Sequence, residues 1–274
     1  MKSLTTRRAC NFAVLLFAVA LAIVLSWVST AALRDTAKLS GVVLLALVVF
    51  LALYNVRKKL SFLPLGSSAT WLQLHIYVGL LTSVIFGIHI HWRMPSGALE
   101  SVLAVLYASV FVSGVFGLII SRSFARRLTT RGAEVLFERI SIYRKRLQAD
   151  VEDIVLRCLV ETESSAVPQF YNTRLKPFFE RPRHFWQHLF QSHRARQALL
   201  KEISDHYRYL NEVEQKTMRE IADRVESKDD LDYHFALQAT IKCWLFAHVP
   251  LTYALLVFAA FHSLLVNAFS GGAP

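Results

Sequence analysis

The chain has 274 residues, 54% of them hydrophobic and 19% charged, with a formal net charge of +11. A mean hydropathy of +0.38 is high for a soluble domain whose surface must be covered with charge, so the leading class is an integral membrane protein. The positive charge does not indicate a nucleic-acid partner: residues 122–234 hold 21 Lys and Arg against 18 Asp and Glu, so the largest polar stretch is close to balanced.

Crossing a bilayer takes about 20 apolar residues, and five runs qualify, at 12–33, 39–56, 71–91, 101–121 and 243–269. The first follows Arg7 and Arg8 and ends near Ala31 and Ala32, as a signal peptide would, but its apolar core is too long for one. The expectation is an all-α fold: an integral membrane bundle of five transmembrane helices with a helical insertion between the fourth and fifth. Its parts are 1–121 (helices one to four), 122–234 (a cytoplasmic helical domain) and 235–274 (helix five and a short outer tail). Cations stay on the cytoplasmic side during insertion. Lys2, Arg7 and Arg8 precede the first run, Arg57, Lys58 and Lys59 follow the second, and Arg122, Arg126, Arg127 and Arg131 follow the fourth. The opposite loops carry only Arg34, Lys38 and Arg93. The expected setting is therefore an inner (cytoplasmic) membrane, with the amino terminus cytoplasmic and the tail SGGAP outside.

The third run contains three histidines, His75, His89 and His91, inside or at the end of an apolar segment. An ionisable side chain in such a place is expensive and marks a functional candidate. Before the partner run is reached, the insertion intervenes. At 122–159 and 194–225 apolar residues recur three and four apart among charges, as at Leu199, Ile203, Leu210 and Val213, which predicts amphipathic helices. Between them Pro168, Pro177 and Pro182 break the pattern. The domain is expected to lie against lipid headgroups through Phe178, Phe179, Phe185 and Trp186. His184 and His188 stand four apart, a spacing that puts metal ligands on one face, but no third ligand accompanies them and a solvated or interfacial face is the better reading. No G-x-G-x-x-G or Walker A motif marks a nucleotide site.

The fifth run answers the third. WLQLHIYVGLLTSVIFGIH (71–89) and WLFAHVPLTYALLVFAAFH (244–262) both read W-L-x-x-H, with a second histidine fourteen residues after the first. Fourteen residues make nearly four helical turns, so each pair shares a face and spans about 21 Å. Both helices run in the same direction, which sets His75 level with His248 and His89 level with His262. Two facing histidines per level make a bis-histidine iron site, and haem b, two per chain, suits it better than a bare ion, because zinc wants four close ligands. The plainer reading gives each histidine a hydrogen bond to a neighbouring helix, and for one such residue it would be the better reading. Four at matched spacing reverse that preference. His91, about 200° beyond His89, is expected to point away and be spare. Gly79 and Gly87 would let a macrocycle approach, although small residues also serve plain helix packing. Cys10, Cys158 and Cys243 form no C-x-x-C-H, so covalent c-type haem and cysteine-ligated clusters lack their ligands.

These two segments resemble the di-haem b-type membrane cytochromes, most closely the ferric reductase-like transmembrane domain shared with NADPH oxidases. The resemblance implies two stacked haems b, held by histidine pairs on the third and fifth helices at His75, His89, His248 and His262, that carry electrons across the membrane. Quinol-oxidising cytochromes b use similar spacing. The chain departs from the family in having no flavin and nicotinamide domain after the last helix, so no catalytic residues or catalytic domain are assigned. The expected role is an electron-transfer subunit of an oxidoreductase complex, set in membrane lipid. Electrons enter from a quinone or from partner subunits such as a c-type cytochrome or an iron–sulfur or flavin protein. Arg93 outside, and Arg122 or Lys242 inside, are candidate partners for the haem propionates, with topology-setting charge as the equal alternative. The rival functions are a histidine-lined metal or proton transporter and a haem-free scaffold presenting the helical domain.

Overall fold

The computed structural model describes residues 4–31, 36–59, 67–129, 131 and 135–270, with the side chains of 4–10, 55–59 and 270 left aside. Lys2, Arg34 and the tail at 271–274 therefore lie outside the described residues, as do the side chains of Arg7, Arg8, Arg57, Lys58 and Lys59. Among the described residues every regular element is helical. The order is α1 (Leu4–Ala31), α2 (Thr36–Lys59), α3 (Ser68–His89), α4 (Ala98–Leu128), α5 (Phe137–Thr162), α6 (Ala166–Phe170), α7 (Lys176–Glu180), α8 (Phe185–Leu189), α9 (Arg194–His206) and α10 (Glu212–Ser270). A π turn at Tyr171–Leu175 joins α6 to α7, and a 3-10 turn at Tyr207–Tyr209 follows α9. Five helices, α1, α2, α3, α4 and α10, are long and apolar enough to cross a membrane. Many of their apolar side chains are exposed, as Phe17 and Trp27 are on α1, which suits a helix whose backbone bonds are satisfied internally and whose surroundings are lipid.

Chain contacts divide the molecule into two units, residues 1–118 with 244–274, and residues 119–243. In the first, α2 and α1 pack on α3. Val48, Tyr107 and Leu255 form a small core, with the Phe86 ring stacked on Tyr107 at 4.1 Å. The Tyr107 hydroxyl donates to Thr82 Oγ1 at 3.0 Å, and Thr82 donates in turn to the Gly79 carbonyl at 2.7 Å, so a buried phenol is satisfied inside the bundle. Helix α3 opens on Ser67, whose Oγ accepts the Thr70 N–H at 3.2 Å. It closes at His89, two residues earlier than the apolar pattern implies, because His91 and Trp92 take φ of 51° and 54°. That turn lays the Trp92 indole over Gly87, where a Cβ would stand 2.6 Å from the ring. Gly87 is thus the place where the Trp92 ring rests.

Helix α10 has 59 residues, about 88 Å at the α-helical rise. The amphipathic pattern near 212 and the apolar run at 243–269 belong to one helix, since neither Gly nor Pro interrupts 212–249. The expected boundary at 234/235 falls inside it. Its start is a capping box: Asn211 Oδ1 accepts the Glu214 N–H at 2.8 Å and Glu214 Oε2 accepts the Asn211 N–H at 2.9 Å.

The second unit has its own apolar core, made by Val151, Ile154, Val155 and Cys158 of α5, Phe178 and Phe179 of α7, Ile203 of α9, and Met218, Ile221 and Val225 of α10, among others. Phe179 is 0% exposed and Phe178 nearly so. These two rings therefore cannot meet headgroups as expected, because α7, begun by Pro177 in its first turn, folds them under α5. The amphipathic pattern holds for Leu199 and Ile203, but Val213 is exposed, since α9 ends at His206 and the face does not continue through the 3-10 turn. Several buried charges are paired. Lys228 Nζ meets Asp232 four residues on and donates to the Arg181 carbonyl at 2.8 Å. Arg131 reaches Asp229 and Asp230, and His234 Nε2 lies 2.7 Å from the Arg131 carbonyl.

His188, 3% exposed, stands with Nε2 3.6 Å from Asp229 Oδ1. Burial pushes its imidazole down to about 4; the Asp229 carboxylate opposes the fall and the Arg131 guanidinium adds to it. The unfolded chain takes up this proton near 6.5 and the folded chain only near 4, so the contribution of His188 is whole above 6.5 and is lost as pH falls toward 4. The expected outcome is a thermal midpoint that drops across that window in the native chain and drops less in His188→Gln. Equal pH dependence in both would contradict it.

Candidate functional site

Two seats for histidine rings are built in the first unit, and both use small residues four apart on a neighbouring helix. On α2, Ala37 and Gly41 receive His89. His89 Nδ1 lies 2.9 Å from the Ala37 carbonyl, with Ser40 Oγ at 3.5 Å. A carbonyl only accepts, so Nδ1 carries the proton and, in the neutral ring, Nε2 keeps its lone pair. A Cβ on Gly41 would come to 2.8 Å of His89 Cε1, so the ring lies where any larger residue would stand. On α4, Ser113 and Gly117 receive the other segment. Trp244 donates from Nε1 to the Ser113 carbonyl at 2.8 Å, its indole filling the notch at Gly117, and His248 Nδ1 lies 3.2 Å from Ser113 Oγ. The Trp244 and His248 rings stack at 5.3 Å. Trp244 is thus a packing residue of the bundle.

Of the predicted pairs, His89 and His262 come together: their ring centroids are 6.5 Å apart at an interplanar angle of 81°. Two imidazoles that held one metal ion through nitrogens about 2 Å from it would have ring centroids about 6 Å apart, close to the separation found here. His75 lies against Tyr54, ring centroids 5.2 Å apart, and His248 against Trp244 and Ser113.

Beside His89 and His262 a cavity of about 460 Å³ opens between α2, α3, α4 and α10, within the usual range for small-molecule sites. His91 lines it too. The expectation that His91 points away assumed an unbroken helix, whereas the chain turns at positive φ just after His89. Arg93, a predicted carboxylate partner, lines the same cavity with Lys38 and Glu100. Of the other two candidate propionate partners, Lys242 Nζ donates to Glu138 Oε1 at 2.6 Å and lies over the Phe137 ring, and Arg122 is exposed. Gly79 has open space where its Cβ would be. Among the described residues no three His, Cys, Asp or Glu side chains gather as a caged metal ion needs. His184 caps α8 at a φ of 57° while His188 turns into the core, so these two serve the fold of the second unit.

Sequence reasoning missed Ala37, Gly41, Ser113 and Gly117. The signal available for them was small-x-x-x-small spacing on an apolar helix, the pattern that permits close approach. Comparison with known proteins finds no family model, curated protein or solved structure that matches the chain.

The notches give a contrast that can be measured. A Cβ on Gly117 would lie 1.8 Å from the Trp244 ring, whereas on Gly79 it would meet nothing. Gly117→Ala is expected to shift the Trp244 emission and to cost about 1–3 kcal/mol by overpacking, and Gly79→Ala to leave emission and thermal midpoint unchanged. Equal effects of the two would contradict the assigned packing.

Proposed function

We propose that the chain is a membrane-spanning di-haem cytochrome b subunit that carries single electrons between redox partners on the two sides of the membrane. The observation that carries this reading is the approach of His89 and His262 to 6.5 Å, with the Nδ1 proton of His89 committed to the Ala37 carbonyl. A histidine that only filled space would not need its tautomer fixed toward a cavity; one that ligates a metal commonly donates its other nitrogen to a carbonyl. Haem, when bound, supplies a one-electron iron couple in an apolar setting.

The residues of the chain would do the rest. His89 and His262 hold one level and His75 and His248 the other, fourteen residues away along each helix. Ser113 orients His248 through Nδ1, as Ala37 orients His89. Arg93 and Lys38 bring positive charge to the cavity at the His89 level, where anionic carboxylates of a macrocycle would sit. The walls contributed by α2, α3, α4 and α10 are mainly apolar, as a macrocycle would need. Lys and Arg placement puts the helical insertion on the cytoplasmic side. That insertion carries no nucleotide motif, so electrons enter from a partner subunit or from quinone rather than from a bound nicotinamide.

Reduced-minus-oxidised spectra of single-site variants test the pairing. His89→Ala and His262→Ala are expected to remove one and the same spectral component, and Gly41→Val to remove it as well, because its side chain would occupy the seat of the His89 ring. His75→Ala and His248→Ala are expected to spare that component and remove the other. If His89→Ala and His262→Ala removed different components, the pairing would be wrong.

A further inference from the structure

Helix α8 is held from the inside and bare on the outside. Trp186 and Phe190 stand four residues apart, hence on one face, and are 67% and 77% exposed. His188, between them in sequence, points the other way and is buried beside Asp229. Arg127 donates from Nη2 to the His188 and Leu189 carbonyls, both at 2.9 Å, and so ties the end of α8 to the end of α4. A helix fixed by its backbone and its inward residue cannot roll to hide the two rings.

The level of this helix follows from α4. Arg127 stands six residues beyond Ser121, where the apolar run of α4 ends, so it lies about 9 Å further along the axis. The headgroup layer adds about 5–8 Å to each side of the hydrocarbon core. Arg127 therefore stands at the outer edge of that layer, and the aromatic face is tied to it there, beside the zone where amphipathic rings collect in membrane proteins. The surrounding charge has one sign: between Glu180 and Glu202 the chain carries five Lys and Arg and no Asp or Glu. Of these, Arg181 and Arg194 are exposed, while Arg196 turns inward to within 4.0 Å of Asp229. Aromatic rings among unopposed cations suit an anionic lipid surface, to which basic residues beside a membrane are attracted.

We propose that α8 is an interfacial foot: Trp186 and Phe190 seat in the headgroup region of an anionic leaflet, and Arg181 and Arg194 bind lipid phosphates. The inference rests on the proposal that α4 crosses the membrane and is independent of haem.

Single cysteines, placed on the full chain with Cys10, Cys158 and Cys243 replaced by alanine and reconstituted in phosphatidylcholine–phosphatidylglycerol vesicles, carry nitroxide labels for the test. The positions are 186, 190, Val112 on the apolar run of α4 (64% exposed) and Tyr209 elsewhere on the second unit (85% exposed). Labels at 186, 190 and 112 are expected to lose collisions with a water-soluble nickel chelate and keep those with oxygen, while the label at 209 remains accessible to both. Adding Arg181→Glu and Arg194→Glu to the Trp186→Cys chain should restore chelate access at 186. Chelate access at 186 and 190 equal to that at 209, with 112 shielded, would overturn the foot and leave the membrane reading intact. Access at 112 as well would remove both. Shielding at 186 and 190 in native membranes that disappears in the vesicles would assign the surface to a protein partner and overturn the lipid assignment.

Discussion

The hydrogen bond between His89 Nδ1 and the Ala37 carbonyl is the constraint from which the rest of the first unit follows. The Ala37 carbonyl sits in the first turn of α2 and can only accept, so the ring meets it through a protonated Nδ1. The ring must therefore approach α2 edge-on, and it can do so only because residue 41 has no side chain. Just beyond this contact α3 ends, and the chain leaves by the turn at His91 and Trp92 that folds the Trp92 indole over Gly87. The cavity beside His262 is the space this arrangement leaves between four helices. Nδ1 of the ring donates to backbone, so in the neutral ring Nε2 keeps its lone pair.

The helical insertion is stabilised by a different kind of interaction. Lys228 and Asp232 are both fully buried, one turn apart on α10, and each has further partners: Lys228 donates to the Arg181 carbonyl and lies 4.1 Å from the Phe178 ring centroid, and Asp232 Oδ2 accepts the Arg183 N–H at 3.0 Å. A buried ion pair stabilises little by itself against an apolar pair of the same shape, yet removing one member strands a charge and costs about 3–5 kcal/mol. Its effect here is positional. It fixes the segment around Arg181 and Arg183 on α10 and thereby sets where α8 begins, with Arg127 fixing where it ends.

Helix content and the location of the apolar runs were legible because they depend on local pattern alone. The spacing of His75, His89, His248 and His262 could be read too, since a helix converts sequence distance into angle and depth. What could not be read depended on where helices stop and on what lies across from them. His91 was misplaced because two residues at positive φ end the helix before it, and neither is glycine. Phe178 and Phe179 were assigned to the surface because Pro177 and Pro182 bracket them in a segment without helical periodicity, and nothing local reveals that α5 and α10 close over them. The length of α10 was hidden by the change from amphipathic to wholly apolar pattern within one unbroken helix. Ala37 and Ser113 act through a carbonyl and a short hydroxyl, which leave almost no trace in composition.

The most direct measurement is the haem content of the purified, folded chain, read by extraction into acidified acetone and by the pyridine haemochrome spectrum. Two haems of b type per chain are expected, released by the acid because Cys10, Cys158 and Cys243 form no motif that would hold a macrocycle covalently. A ratio near one would leave a single ligand pair in place, and a ratio near zero in a well-folded sample would contradict the cytochrome reading outright.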